Sequence, residues 1–353
     1  MCPPNDIMSM SRDELRKYLT ENFNLPKFRA DQIFEWLNRG ADFENMTNLS
    51  KALREQLSKE VFCSLPKIEK KLVSKIDGTV KYLFRLYDGN FIESVVMHYA
   101  HGNTICISSE VGCNMGCRFC ASTIGGMTRK LLPGEMLGQV ALANFDGADI
   151  SNIVMMGIGE PLDNYDNVIK FLKLVTSSEG INIGARHISL STCGLADKIR
   201  ELAKEDFGIT LSISLHASDD ETRSSIMPIN NKWSIEDLLS ACRDYFLTTG
   251  RRISFEYTLI AGKNDQVSQA DKLADLFYKY FTENNKLLPI HVNLIPVNEV
   301  EERDFETSSK QAVNRFADAL NKRKINATVR RKLGPDINAS CGQLRKSYED
   351  SRE

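Results

Sequence analysis

The chain has 353 residues, 42% of them hydrophobic and 26% charged. That composition excludes wholesale disorder and collagen-like structure, and the length allows one large α/β domain or a barrel with a smaller companion domain. Lys and Arg number 45 against 47 Asp and Glu, a formal net charge of −2, which argues weakly against a broad nucleic-acid footprint.

The start, Met1-Cys2-Pro3-Pro4-Asn5-Asp6, lacks the basic and apolar regions of a signal peptide. From Ser11 to about Lys59 the pattern is helical. Ser11 and Glu14 form a capping box. Apolar stripes follow at Leu15, Tyr18 and Leu19, at Ala30, Ile33, Phe34 and Leu37, and at Leu49, Leu53 and Leu57. They predict a small helical domain over residues 1–65. Residues 66–98 read as strands at 68–76, 80–87 and 91–98, separated by the turn residues Asp77-Gly78 and Asp88-Gly89-Asn90. This is a β-hairpin linker. From residue 99 to 346 the pattern becomes strand, loop, helix, repeated. Strands are predicted at 104–108, 152–156, 187–191, 209–214, 253–260 and 290–295, with helices at 134–145, 165–177, 235–248 and 266–281. Six β/α units in sequence predict an α/β fold built on a parallel, closed or nearly closed barrel, with the chemistry at the C-terminal strand ends. No apolar run reaches the roughly 18 residues of a membrane span, and a cytoplasmic location is expected.

Nine cysteines are many for such a chain, and the odd number is a poor match to a disulfide scaffold. Cys113, Cys117 and Cys120 follow the first barrel strand at x3 and x2 spacing, close enough to wrap one metal centre. A zinc site usually takes a second Cys-x2-Cys pair or a nearby His. Neither is present, and His101 is the closest histidine. Three unrelated buried thiols remain the bland alternative. A [4Fe–4S] cluster held by three cysteines leaves one iron open to a small molecule. With Phe119 before the last cysteine, the loop resembles that of the radical S-adenosylmethionine (SAM) enzymes. The segment Gly157-Ile158-Gly159-Glu160-Pro161 resembles the one that binds the SAM amino group in that superfamily, with Glu160 as the residue to hold it.

A wider resemblance rests on several stretches. They are Cys106-Ile107-Ser108-Ser109-Glu110-Val111-Gly112-Cys113, Gly159-Glu160-Pro161-Leu162-Asp163-Asn164, Ser191-Thr192-Cys193-Gly194 and Ser214-Leu215-His216-Ala217. To these add Met227-Pro228-Ile229-Asn230, His291-Val292-Asn293-Leu294-Ile295-Pro296 and Asp336-Ile337-Asn338-Ala339-Ser340-Cys341-Gly342-Gln343-Leu344. Over nearly its whole length the chain resembles the RlmN/Cfr family of radical SAM RNA methyltransferases. The resemblance implies a partial (β/α)6 barrel, a [4Fe–4S] cluster on Cys113, Cys117 and Cys120, and SAM contacts from Gly159, Glu160, Ser191, Ser214, Leu215, His216 and Asn293. It implies a mechanism as well. C2 of adenine is electron-poor and cannot attack the SAM methyl directly. Cys341 therefore takes a methyl group first, and a radical derived from a second SAM removes one of its hydrogens. The resulting methylene adds to C2, Glu93 accepts the C2 proton, and Cys106 attacks the Cys341 sulfur to release the RNA as a disulfide forms.

The implied partners are 23S rRNA and tRNA, with an electron donor such as flavodoxin or ferredoxin, and the chain is expected to be a monomer. The nearest rival is the Cfr-type reaction at adenine C8. The stretches Gly159-Glu160-Pro161-Leu162-Asp163-Asn164 and Arg330-Arg331-Lys332-Leu333-Gly334 look more like the C2 enzymes, since the C8 group typically has Ala after that Glu. A zinc-stabilised RNA-binding protein without catalysis is the rival of another class. Glu93 could equally be a solvent-facing strand residue, and His216 a structural histidine. Ile158 stands where the family commonly has Met, a change of packing only. Eight Lys or Arg and one acid, Asp336, fall between Asn321 and Lys346, and Arg118, Arg129 and Lys130 meet no acid between Val111 and Gly134. These two stretches are the expected phosphate contacts, and the target base must leave its stack to reach the barrel mouth.

Overall fold

The computed structural model describes residues 5–300 and 302–339, together with Leu344 and Tyr348. Three helices come first: α1 (Arg12–Phe23), α2 (Lys27–Asn38) and α3 (Lys51–Glu60). The Ser11 hydroxyl accepts from the Glu14 amide and the Glu14 carboxylate accepts from the Ser11 amide, which closes the expected capping box.

Strands β1 (Lys67–Val73), β2 (Val80–Arg85) and β3 (Phe91–Tyr99) form an antiparallel meander. They are followed by β4 (Gly102–Cys106), the short β5 (Glu110–Gly112) and β6 (Met127–Lys130), helix α4 (Pro133–Phe145), β7 (Ile150–Met155), α5 (Tyr165–Thr176), β8 (Ile188–Thr192) and α6 (Ala196–Leu202). Next come β9 (Thr210–Ser214), α7 (Asp220–Ile226), α8 (Ile235–Thr249), β10 (Ile253–Leu259) and α9 (Val267–Phe281). After the two-residue pair β11 (Thr282–Glu283) and β12 (Lys286–Leu287), the chain ends in β13 (Ile290–Pro296), α10 (Lys310–Lys322) and β14 (Ala327–Val329).

One sheet of ten strands runs β1-β2-β3-β4-β7-β8-β9-β10-β13-β14. All six expected parallel strands are present in the expected order. Three features differ from the sequence reading. The first hairpin strand stops at Val73, because residues 74–79 make the turn. The meander is hydrogen-bonded into the main sheet through β3 and β4. The parallel array gains a seventh strand, β14; the ten-stranded sheet is open at β1 and β14, as a partial barrel is. A three-residue strand carries too little alternation to be seen in sequence.

The helical region is packed onto the barrel through α4. The Asp6 carboxylate accepts from the Ser64 amide and hydroxyl at 2.8 and 2.7 Å, and the Ser9 hydroxyl accepts from the Gly134 amide at 2.8 Å. Gly40, at φ +80°, lets α2 approach the α4 backbone: a Cβ there would stand 2.5 Å from the Ala141 oxygen. None of the helices is long and apolar enough to cross a membrane among the described residues.

Candidate active site

The cysteine loop hangs between β5 and β6, which pair with each other. Its backbone is tied at both ends. The Cys113 amide donates to the Gly126 oxygen and the Cys120 amide to the Cys117 oxygen, both at 3.1 Å, and the Thr123 hydroxyl donates to the Cys117 and Cys120 carbonyls. Cys113 and Cys117 are buried and Cys120 is half-buried. Around Cys117 lies an apolar shell of Cys193, Ile226, Met227, Ile260 and Val297, with Met115 and Phe119 against it.

Burial, then the charges of Glu110 and the other two cysteines, pushes the Cys113 thiol upward; burial and the charge of Cys120 do the same to Cys117. Such thiols stay protonated until a metal takes them as thiolates. No group of three or more His, Cys, Asp or Glu side chains among the described residues is arranged to hold a metal ion. A four-iron cube bonded at three corners holds its ligating sulfurs farther apart than one ion does. Three thiols on one clamped loop in an apolar shell fit that group by donor chemistry.

The other expected SAM-contacting positions gather at the C-terminal ends of the parallel strands. Ser214, Glu256 and Asn293 are lateral partners on β9, β10 and β13, and Ser191 lies opposite Ser212. Asn293 donates to Glu256 at 2.7 Å, and burial pushes the Glu256 carboxyl upward. The Glu160 carboxylate accepts from the Leu162 and Cys193 amides at 3.0 and 2.7 Å, while burial pushes its pKa upward. A carboxylate has further acceptor sites beyond these two. The close approach that the neighbouring glycines permit is to the chain itself. A Cβ on Gly157 would stand 2.5 Å from the Ile107 oxygen, and one on Gly159 2.6 Å from the Glu110 Cβ. Ile158 is fully buried, and its carbonyl accepts from the Ser109 and Glu110 amides.

His216 sits in the left-handed region at φ 58°. Its Nδ1 accepts from the Thr258 amide at 2.9 Å, so Nε2 carries the proton. Burial, with the nearby Arg223 charge, holds its pKa down to about 3. Its ring meets Phe119 edge-on at 5.1 Å. This neutral imidazole therefore props the cysteine loop.

Glu93 is 2% exposed, so the solvent-facing alternative does not hold. It lies on β3 two residues from Val95, which pairs with Cys106 of β4, so both side chains share one face. Cys106 forms a small buried cluster with Val95 and Met97, and Val154, Met156, Leu333 and Ala339 pack against that cluster. Cys341 and Cys2 lie outside the described residues. Among the described cysteines none is joined to another by a disulfide, and the disulfide expected of Cys341 falls outside them. Cys63 is half-buried and Cys193 and Cys242 are buried.

The basic stretches are less open than their composition suggests. Arg129 pairs with Asp88 at 2.5 Å and Glu135 at 2.7 Å, Lys130 with Asp163 at 3.3 Å, and Arg323 with Asp271 and Asp275. Asp88, Asp163, Asp271 and Asp275 lie far from their partners in sequence, and Glu135 lies one residue past the counted stretch, so a local charge count misses them. Lys322, Lys324, Arg331 and Lys332 remain exposed.

Two side chains that sequence reasoning missed stand out. Arg223 of α7 is fully buried and donates to the carbonyls of Cys193, Ser214 and Leu215 and to Asn230. Glu110 is fully buried with Oε1 unpartnered, and burial pushes its pKa up to about 8. A carboxyl raised in the folded state stabilises it fully below the ordinary value of 4.5, and that stabilisation is lost as pH rises through about 8. Glu110→Gln mimics the neutral acid. Its melting temperature should equal that of the parent near pH 4.5 and exceed it by several degrees at pH 8; thermal melts of cluster-free protein across that range check this.

Comparison with known proteins agrees with this geometry. Residues 107–274 match the model of the radical SAM superfamily, whose members use a [4Fe–4S] cluster and SAM, and residues 5–63 match that of the ribosomal RNA large subunit methyltransferase N-terminal domain. The probable dual-specificity RNA methyltransferase RlmN of Clostridium novyi is 50% identical over 346 residues, covering 97% of this chain and 98% of that protein. The protein of the same description from Alkaliphilus oremlandii is 51% identical, with 97% and 98% covered. A crystal structure of a radical SAM methyltransferase from Sphaerobacter thermophilus superposes with a TM-score of 0.89 at 41% identity, covering 96% of this chain and 99% of that one. The chain belongs to the RlmN family of radical SAM RNA methyltransferases.

Proposed function

We propose that the enzyme methylates C2 of adenine in 23S rRNA, at the peptidyl transferase centre, and in tRNA anticodon loops, with Cys341 as methyl carrier. The relatives' description as dual-specificity enzymes supports the two RNA classes. The observation that carries the chemistry is the convergence of Glu93, Cys106 and Ala339, two residues before Cys341, around one face of β3 and β4.

Cys113, Cys117 and Cys120 are the residues to hold the cluster. When bound, the cluster and SAM supply a carbon radical able to take a hydrogen atom. The residues do the rest. The Cys341 thiolate attacks the methyl carbon of SAM, the bond from that carbon to the sulfonium breaks, S-adenosylhomocysteine leaves, and Cys341 is left as a thioether. After that methyl loses one hydrogen, its carbon bonds to C2 and joins enzyme to RNA. The adduct carries one unpaired electron, which would return to the bound cluster, and Glu93 receives the C2 proton. Cys106 then attacks the Cys341 sulfur; the bond from sulfur to the methylene carbon breaks as the disulfide forms, and the carbon picks up a proton to become the methyl group. The family resemblance further supports a monomer, a cytoplasmic location, a small flavin or iron–sulfur electron donor such as flavodoxin or ferredoxin, and RNA contacts from the domain over residues 1–65.

Digesting the modified RNA and locating the methyl carbon by NMR tests the position. A methyl at C2 is expected; a methyl at C8 overturns it in favour of the Cfr-type reaction.

A further inference from the structure

A lysine with no exposed surface is uncommon, because an unpaired ammonium loses its hydration. Lys81 of β2 is such a residue. Its Nζ lies 3.0 Å from Glu93 Oε2 and donates to the carbonyl of Asn338 at 2.8 Å. Lys81 sits opposite Val95 of β3, which places it on the same face as Glu93 and Cys106. Asn338 is three residues before Cys341. Charge neutralisation of Glu93 needs only the ion pair, so the contact to Asn338 calls for its own explanation.

The stretch around Asn338 is also gripped by the β1–β2 turn. The Asp336 carboxylate accepts from the Ser74 hydroxyl at 2.6 Å and the Lys75 amide at 2.9 Å, and the Gly334 amide donates to Asp77 at 2.9 Å. Beyond Cys341, the Tyr348 hydroxyl donates to Glu69 at 2.6 Å and its ring packs on Phe91. The chain before and after Cys341 is thus seated on the antiparallel strands.

We propose that Lys81 is a positioning residue that couples the proton acceptor Glu93 to the seat of the methyl-carrier segment. The proposal rests on the roles given above to Glu93 and Cys341. Docking of residues 334–339 brings the Asn338 carbonyl to the ammonium, and the ammonium then holds Glu93 in line for the C2 proton. The first half-reaction, methyl transfer to Cys341, asks only for an accessible thiolate and does not use this contact.

The test is Lys81→Met, which keeps length and removes the ammonium. In cofactor-free protein, hydrogen exchange at the Gly334 and Ala339 amides should speed up at least threefold. In the loaded enzyme, Cys341 should be methylated at the parental rate, RNA methylation should slow at least tenfold, and the covalent enzyme–RNA adduct should persist although Cys106 is intact. If Lys81→Met fails to fold, Asp336→Ala carries the test from the exposed side: Cys341 methylation unchanged, release of methylated RNA slowed at least threefold. Equal slowing of both half-reactions, or parental RNA methylation, overturns the assignment of Lys81. Parental enzyme that never carries a methyl on Cys341 overturns the carrier reading itself, and this proposal with it.

Discussion

Replacing Cys106 with alanine should leave the RNA covalently joined to the enzyme. Ala339, two residues before Cys341, packs against the small cluster that holds Cys106, and this is the ground for giving Cys106 the resolving role. The steps before resolution need Cys341 and Glu93 but not Cys106. The substitution removes a single sulfur from a small apolar patch of Val95, Met97, Val154 and Leu333, a change on the order of 1 kcal/mol in stability. Catalysis suffers far more, because among the described residues no other cysteine lies on β3 or β4 to act as the thiol nucleophile. Denaturing gels should show one RNA per enzyme, released by nuclease, with turnover reduced at least about a thousandfold. Free methylated RNA at the parental rate would remove Cys106 from the mechanism.

The largest expected effect on the fold is at Arg223. Its guanidinium is fully buried and joins the ends of β8 and β9 to Asn230 through four hydrogen bonds at 2.7 to 3.2 Å. Arg223→Met fills much of the volume but leaves three backbone carbonyls without that donor. Buried charge-assisted bonds of this kind cost about 3–5 kcal/mol when one partner is removed. Activity should fall with stability, since Ser214, Leu215 and His216 share the segment that Arg223 fixes. Denaturant titration of the variant checks the magnitude; a loss below about 1 kcal/mol would show that the strand ends hold themselves.

What could be read from the chain and what could not divide along one physical line. The capping box at Ser11, the six parallel strands and the cysteine loop were legible because each is written in neighbouring residues. Glu256, Arg223 and Lys81 were not, since their partners lie on other elements and their roles depend on burial. Alternation does not flag Lys81: it shares its face of the strand with Leu83 and Arg85, while Val80, Tyr82 and Phe84 form the apolar face, and only its partners Glu93 and Asn338 account for its burial. Arg129 shows the opposite error. The stretch from Val111 to Gly134 holds no acid, yet Arg129 pairs with Glu135, the residue just past that stretch, and with the distant Asp88. His216 was legible as a barrel-mouth residue, but its tautomer and its support of Phe119 follow only from the Thr258 amide and the ring geometry.

The most direct measurement of the central claim uses SAM whose methyl group carries three deuterium atoms. If Cys341 carries the methyl and loses one of its hydrogens before bonding to C2, the methyl group on the product adenine holds two deuterium atoms. A product that keeps all three would mean the methyl moved intact, and would contradict the carrier mechanism.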